Sequence, residues 1–257
     1  MSSPAQVRRE RRQHGADRVS AHLCLHSADG QNRLAHATVH ALHGALQAAA
    51  EDDAVSLVQI EAEGEAFCAG ADLHEQAAMD VAAFRRFLED LTSLYRAIMQ
   101  CPAPVLARVQ GPAVGGGAAL ALSCDLIVAA DAAKFAFPEA RLGLAAPGFL
   151  LVRLAPPQSA ARLALAGRAP DALALQNAGL VSHVVPKASL ERECAEFAAA
   201  VLRQGTAGLR ASKASLAAAA PPPLEAMARH IDIQCDAFIR ARAQTRPAVA
   251  TATKGDA

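Results

Sequence analysis

Short, almost uninterrupted apolar runs, each followed by a turn and a helix-patterned stretch, constrain this fold more than any other feature. Residues 54–60 carry Val55, Leu57, Val58 and Ile60, and residues 104–109 and 126–129 are as apolar. Runs of this length with no polar alternation are expected of strands covered on both faces, the usual condition of a parallel sheet. Residues 19–25 alternate and read as a further strand, and residues 134–137 as a short one. Between them, apolar side chains recur at helical spacing over residues 37–50 (Val39, Leu42, Leu46) and over residues 77–99 (Phe84, Phe87, Leu88, Leu91, Leu94, Ile98). Strand, helix, strand, helix places the chain in the α/β class. After Pro147 helical patterns dominate, with a strand-like exception over residues 179–186 and a last helix predicted over residues 224–242.

Composition then removes whole classes of function. The 257 residues carry 25 basic and 25 acidic side chains, a formal net charge of zero, which gives no general attraction to nucleic acid or to an anionic bilayer. There is no Trp and a single Tyr, so platforms for stacking bases are scarce. No apolar run reaches the length of a membrane span, and residues 1–17 are polar and Arg-rich without the apolar centre of a secretory signal. No nucleic-acid or membrane partner is therefore expected. The six cysteines (Cys24, Cys68, Cys101, Cys124, Cys194, Cys235) form no paired ligand spacing. They read as reduced, mostly buried thiols of a cytoplasmic protein, with no metal site expected.

Two segments carry chemistry. Residues 67–73 contain Cys68, Ala69, Gly70, Ala71, Asp72 and Leu73, and residues 115–120 open with three glycines. Each falls where a strand gives way to a helix, so that unpartnered backbone N–H groups are available at the turn. Two such groups aimed at one point can hold a developing oxyanion, and glycine lets a substrate approach the backbone closely. The triplet lacks both the dinucleotide fingerprint and the Lys of a triphosphate loop, which disfavours nucleotide chemistry. Taken alone, it could equally mark close helix–strand packing.

These segments, with residues 104–125, 137–143 (Phe137, Pro138, Glu139, Arg141, Gly143) and 176–186, resemble the enoyl-CoA hydratase/isomerase, or crotonase, superfamily in order and spacing over roughly residues 18–245. The resemblance implies a crotonase-like spiral of ββα turns with a C-terminal helical region. Its divisions would be a spiral core at 18–187 and a helical trimerisation region at 188–257, after a stretch at 1–17 whose polar composition alone reads as a frayed N-terminus. It implies an acyl-CoA substrate, no separate cofactor because coenzyme A is part of that substrate, and a homotrimer or dimer of trimers. Carried over by position, Ala71 and Gly116 supply the oxyanion N–H groups and Glu139 the proton-transferring carboxylate. Cys68, Ala69 and Leu73 become candidates for contact with the coenzyme. Asp72 reads as a helix cap and Asp125 as a structural acceptor.

The chain also departs from the pattern. Hydratases of the superfamily carry a second glutamate three residues after the middle glycine, where this chain has Ala119. Phe149 and Leu150 replace glycines that help hold water in hydratases, which predicts a drier and more apolar site. Hydration needs a base for water and an acid for the α-carbon, whereas one carboxylate suffices to move a proton between two carbons. Double-bond isomerisation of enoyl-CoA is the leading expectation. The alternatives are hydration, dehydration or decarboxylation of a carrier-bound acyl thioester, and acyl-CoA binding without turnover. His74 and Glu75, at the start of the helix after the first motif, are candidates to rescue the missing acid or base.

Overall fold

The computed structural model describes residues 4–14 and 18–245. Strand β1 (Gln6–Gln13) runs antiparallel to β2 (Val19–His26), and β2 pairs in parallel with β3 (Val55–Ala62). Parallel pairing continues through β4 (Val105–Val109), β6 (Leu126–Ala130) and β8 (His183–Val185), giving a six-stranded sheet in the order β1-β2-β3-β4-β6-β8. The segment expected to fray at the N-terminus instead supplies an edge strand over residues 6–13. Eight residue pairs join it to β2, and its largely exposed, Arg-rich side chains suit a sheet edge turned to water. Residues 1–3 and 15–17 of that segment, and residues 246–257, lie outside the described residues.

All eight residues of β3 are buried, as its apolar run predicts, and this demands cover on both faces. Helix α1 (His36–Ala50) packs on β1, β2 and β3, while α8 (Leu190–Leu202) and α9 (Thr206–Ala219) supply further cover over β3. Polar groups inside this sheet gather around one carboxylate. Glu61 on β3 accepts hydrogen bonds from Arg108 on β4 (2.9 Å) and Gln59 (2.8 Å), and His22 of β2 lies 3.4 Å away. Burial alone would raise the Glu61 carboxyl, but the facing His22 and Arg108 hold it at about 2.

The single helix predicted over residues 77–99 is two helices. Helix α2 (Leu73–Ala78) is capped by Asp72, whose carboxylate accepts from the N–H groups of His74 and Glu75. Helix α3 (Val81–Gln100) starts afresh at Asp80, which accepts from Ala83 N–H at 2.7 Å. Met79 between them is extended, so the second cap and not the apolar periodicity sets the boundary. The predicted apolar stripe of α3 is buried throughout.

A second, smaller layer positions the site. Strands β5 (Ala113–Val114) and β7 (Phe135–Ala136) pair in parallel. Cys68 bridges Ala113 and Leu34 bridges Ala71, both also in parallel. Four chain segments thus lie side by side pointing the same way, joined by Leu34 N–H to Gly70 O (2.8 Å), Val114 N–H to Cys68 O (2.9 Å) and Gly115 N–H to Ala136 O (2.7 Å). Helix α4 (Gly116–Leu122) leaves directly from β5.

The rest is helical: α5 (Gly148–Leu154), α6 (Pro157–Leu165), α7 (Ala172–Asn177) and, after α9, α10 (Leu224–Thr245). Buried Lys213 of α9 is held by Asp125 (2.6 Å) and by the carbonyls of Ile98 and Ala103. Asp125 also accepts from Val105 N–H at 2.7 Å, the structural role expected of it. Helix α10 packs on α3 and α5, with Phe238 stacked on Phe84 at 4.2 Å. All six cysteines are free and buried. Among the described residues, no helix is long and apolar enough to cross a membrane.

Candidate active site

Ala71 ends one segment of the small parallel layer, where it bridges Leu34, and Gly116 and Glu139 each follow the C-terminal end of another (Val114 and Ala136) within three residues. In open parallel sheets, the carboxyl ends of the strands are where ligands bind. All three residues line one cavity of about 170 Å³. A dry cavity of roughly 150 Å³ admits a benzene-sized guest, so this space fits a short acyl chain.

Two glycines set the geometry of the amide pair. Gly70 has φ +89°, and a Cβ there would fall 2.6 Å from Val114 O and 3.6 Å from Gly116 N. The two loops therefore touch backbone to backbone. Gly117 is tighter still, since a Cβ would meet Cys68 O at 2.3 Å and Cys68 Sγ at 2.7 Å. Gly115, at φ +53°, turns the chain from β5 into α4. Neither the Ala71 N–H nor the Gly116 N–H has an acceptor among the described residues, while the neighbouring Asp72 and Gly115 amides do. Buried Tyr95 fixes the α4 end by donating to Gly116 O at 2.8 Å.

Glu139 opens a short 3-10 turn (Glu139–Leu142) directly after β7. Its Oε2 is buried without a hydrogen-bond partner, and its Oε1 lies beside Gly115, 3.0 Å from where a Cβ would stand. Burial raises the carboxyl to about 7, and no cation offsets it. The walls are apolar: Phe84, Phe87, Leu88 and Leu91 of α3, Leu144, and Phe149 of α5. Ala119 faces the same space and carries no proton.

The other sequence expectations divide. Ala69 and Leu73 line the cavity mouth with Ala71. Cys68 does not: its side chain is fully buried against Gly117, and burial pushes its thiol up to about 12, so coenzyme contact through that side chain is ruled out. Phe149 forms part of the wall as expected, but Leu150 points away, toward Asp125 and Lys213. His74 and Glu75 also face elsewhere, into a separate groove with Arg33. Glu75 is engaged in accepting from His36 N–H at 3.0 Å. Rescue of Ala119 from that helix does not occur in this arrangement.

Sequence reasoning missed the contribution of α10. His230 and Gln234 enter the cavity from there, with Gln76 and Thr92 nearer the mouth. Gln234 clamps Ala145 through both its amide atoms (3.0 and 2.7 Å). His230 meets the Phe149 ring edge-on at 5.3 Å, and burial pushes its imidazole down to about 4, which keeps it neutral. Nothing in the local pattern of residues 224–242 marks either residue, because their position depends on α10 folding back over α3.

Comparison with known proteins identifies the family. The family model described as enoyl-CoA hydratase/isomerase matches residues 20–248. An enoyl-CoA isomerase/hydratase of Mycosarcoma maydis is 36% identical over 180 residues, 68% of this chain; the chain spans 64% of that relative's length. A 2,3-dehydroadipyl-CoA hydratase of Escherichia coli is 34% identical over 198 residues, 76% of each chain. Among solved structures, an enoyl-CoA hydratase/isomerase from Xanthobacter autotrophicus superposes with a TM-score of 0.82 at 26% identity, covering 94% of both chains. An enoyl-CoA hydratase from Mycobacterium avium gives 0.79 at 25% identity, covering 91% of this chain and 97% of its own. The α/β, crotonase-like fold is thus established, and the chain belongs to the enoyl-CoA hydratase/isomerase family.

Proposed function

We propose that this chain isomerises the double bond of enoyl-CoA thioesters by enolate-stabilised proton transfer through Glu139. One observation carries the reading. Among the described cavity residues Glu139 is the only carboxylate, it has an unpartnered oxygen, and it shares the cavity with two backbone amides that have no acceptor. The thioester carbonyl oxygen accepts from the N–H groups of Ala71 and Gly116. The Glu139 carboxylate removes a proton from C2 of a 3-enoyl thioester, and the electron pair delocalises over the dienolate. The same carboxyl returns the proton to C4, leaving the double bond between C2 and C3. A carboxyl poised near neutrality suits both halves of this cycle, and the amides stabilise the charge only as it develops. Ala69 and Leu73 at the mouth are proposed to touch the thioester's coenzyme arm.

Hydration is the second reading, and His230 favours it. A neutral imidazole on the cavity wall could supply the second proton-handling group that Ala119 cannot. The distinguishing experiment offers crotonyl-CoA and a 3-enoyl-CoA to the wild type, Glu139→Gln and His230→Ala. Isomerisation lost only in Glu139→Gln, with little hydration by any form, supports the first reading. Robust hydration abolished by His230→Ala supports the second.

Assembly through residues 188–257 is proposed on the exposed apolar side chains Leu216, Leu224, Ile233 and Ile239. Sedimentation as a trimer or hexamer supports it, and a monomer at micromolar concentration would count against it.

A further inference from the structure

On the outer side of α3, away from the cavity, three ligand atoms converge. His36 and His40 stand one turn apart on α1 and present their rings on one face. Asp90 approaches from α3. The Asp90 Oδ2 lies 2.6 Å from His36 Nε2 and 3.2 Å from His40 Nε2, and the two nitrogens are 3.0 Å apart. Hydrogen bonds alone satisfy this triangle poorly. If both imidazoles carry a proton on Nε2, two N–H groups oppose each other at 3.0 Å. If one does not, its lone pair is turned toward a carboxylate oxygen.

A cation in the centre resolves the conflict, since all three atoms then act as donors of electron pairs. Tetrahedral zinc with bonds of about 2.0–2.1 Å needs ligand atoms roughly 3.3 Å apart, which these three reach by moving a few tenths of an ångström. We propose that His36, His40 and Asp90 form a binding site for a divalent transition ion of the zinc class. Two imidazoles and a carboxylate select zinc and its neighbours over magnesium or calcium, which prefer all-oxygen shells. The Glu75 carboxylate on His36 N–H adds negative charge nearby and anchors the first turn of α1. The ligands are partly exposed, which leaves a fourth position open to water. Ala37 follows His36 where a metal-dependent hydrolase of this His spacing would carry its glutamate base, so the site acts as a clamp and not as a hydrolytic centre. The clamp would tie α1 to α3 at Phe87, whose ring lies 6.4 Å from that of His36 and lines the acyl cavity.

The test titrates zinc chloride into the tag-free full-length chain, stripped with chelator, by calorimetry. One zinc per chain is expected, with affinity falling about tenfold or more in both His40→Ala and Asp90→Asn. Zinc should raise the melting temperature of the wild type and not that of Asp90→Asn. Circular dichroism checks that both variants keep the helical fold, as expected for partly exposed positions. Absence of a saturable one-to-one site overturns the proposal, and so does a site whose affinity Asp90→Asn leaves unchanged. Neither result bears on the enoyl-CoA reading, which uses none of these residues.

Discussion

At the residue scale, Glu139 is a carboxyl held where ionisation is costly. Its pKa of about 7 lies above that of an unfolded glutamate, so the folded state binds the extra proton. Stability therefore falls as pH rises from the unfolded value through about 7, and that cost is fully present above it. Glu139→Gln removes the charge and is expected to stabilise the fold, by up to roughly 2–3 kcal/mol at pH 8 and much less at pH 5, while lowering turnover about 10²–10⁴-fold. Thermal melts at the two pH values, set beside initial rates, check both halves. In the proposed mechanism catalysis begins with the carboxylate, so the isomerisation rate of the wild type should climb through an apparent pKa near 7 and then level off. A pH–rate profile reads this directly. Ala71, Gly116 and Glu139 came from the family resemblance, position by position, and they line one cavity; the glycine triplet taken alone could equally have marked close packing. His230 and Gln234 were not legible in the sequence, because nothing near them in the chain signals a cavity. Cys68 shows the converse: a residue inside a recognisable motif can serve only to pack, here against Gly117.

At the scale of elements, docking of the two amide loops rests on glycines with no room for a side chain. Gly117→Ala would drive a methyl group into Cys68 O and Sγ, both part of the layer that carries Ala71. The clash is expected to cost at least about 2 kcal/mol and to disable the oxyanion pair even where the chain still folds. Urea melts combined with steady-state rates test it, and a variant with wild-type turnover would argue against backbone contact between the loops. The sheet has its own ionic tie in Glu61, facing His22 and Arg108. Its folded pKa of about 2 lies below the unfolded value, so its contribution is present above about pH 4 and disappears as pH falls through 2. Glu61→Gln should flatten the acid limb of a stability-versus-pH curve. Strands β3, β4 and β6 were readable from their apolar runs and β2 from its alternation. The break between α2 and α3 was hidden, because the apolar stripe begins only at Phe84, inside α3, and the caps at Asp72 and Asp80 alone mark it. Strand β1 was hidden for another reason: an edge strand facing water has no apolar signature.

At the scale of the whole molecule, the cavity is closed by a helix more than a hundred residues downstream of the glycine loops. Helix α10 is fastened over α3 by the stack of Phe238 on Phe84, and to the end of α2 by Arg242, which donates to the carbonyls of Ala77 and Met79. Phe238→Ala should cost about 3 kcal/mol and open the cavity to water. Turnover should fall more than binding of the coenzyme ester, which kcat and KM measured separately will reveal. The α/β plan was legible because its strands are buried on both faces. The cover from α10 is a long-range consequence of packing and has no local marker.

Two main-chain amides gripping a carbonyl oxygen while one carboxyl moves a proton amounts to enolate formation, and this can be watched without any double bond. Butyryl-CoA in D₂O, followed by proton NMR, reports exchange at the α-carbon alone. The wild type should incorporate deuterium there and Glu139→Gln should not. Exchange that persists in Glu139→Gln, or a wild type that leaves the α-protons untouched while still binding the ester, would contradict the mechanism.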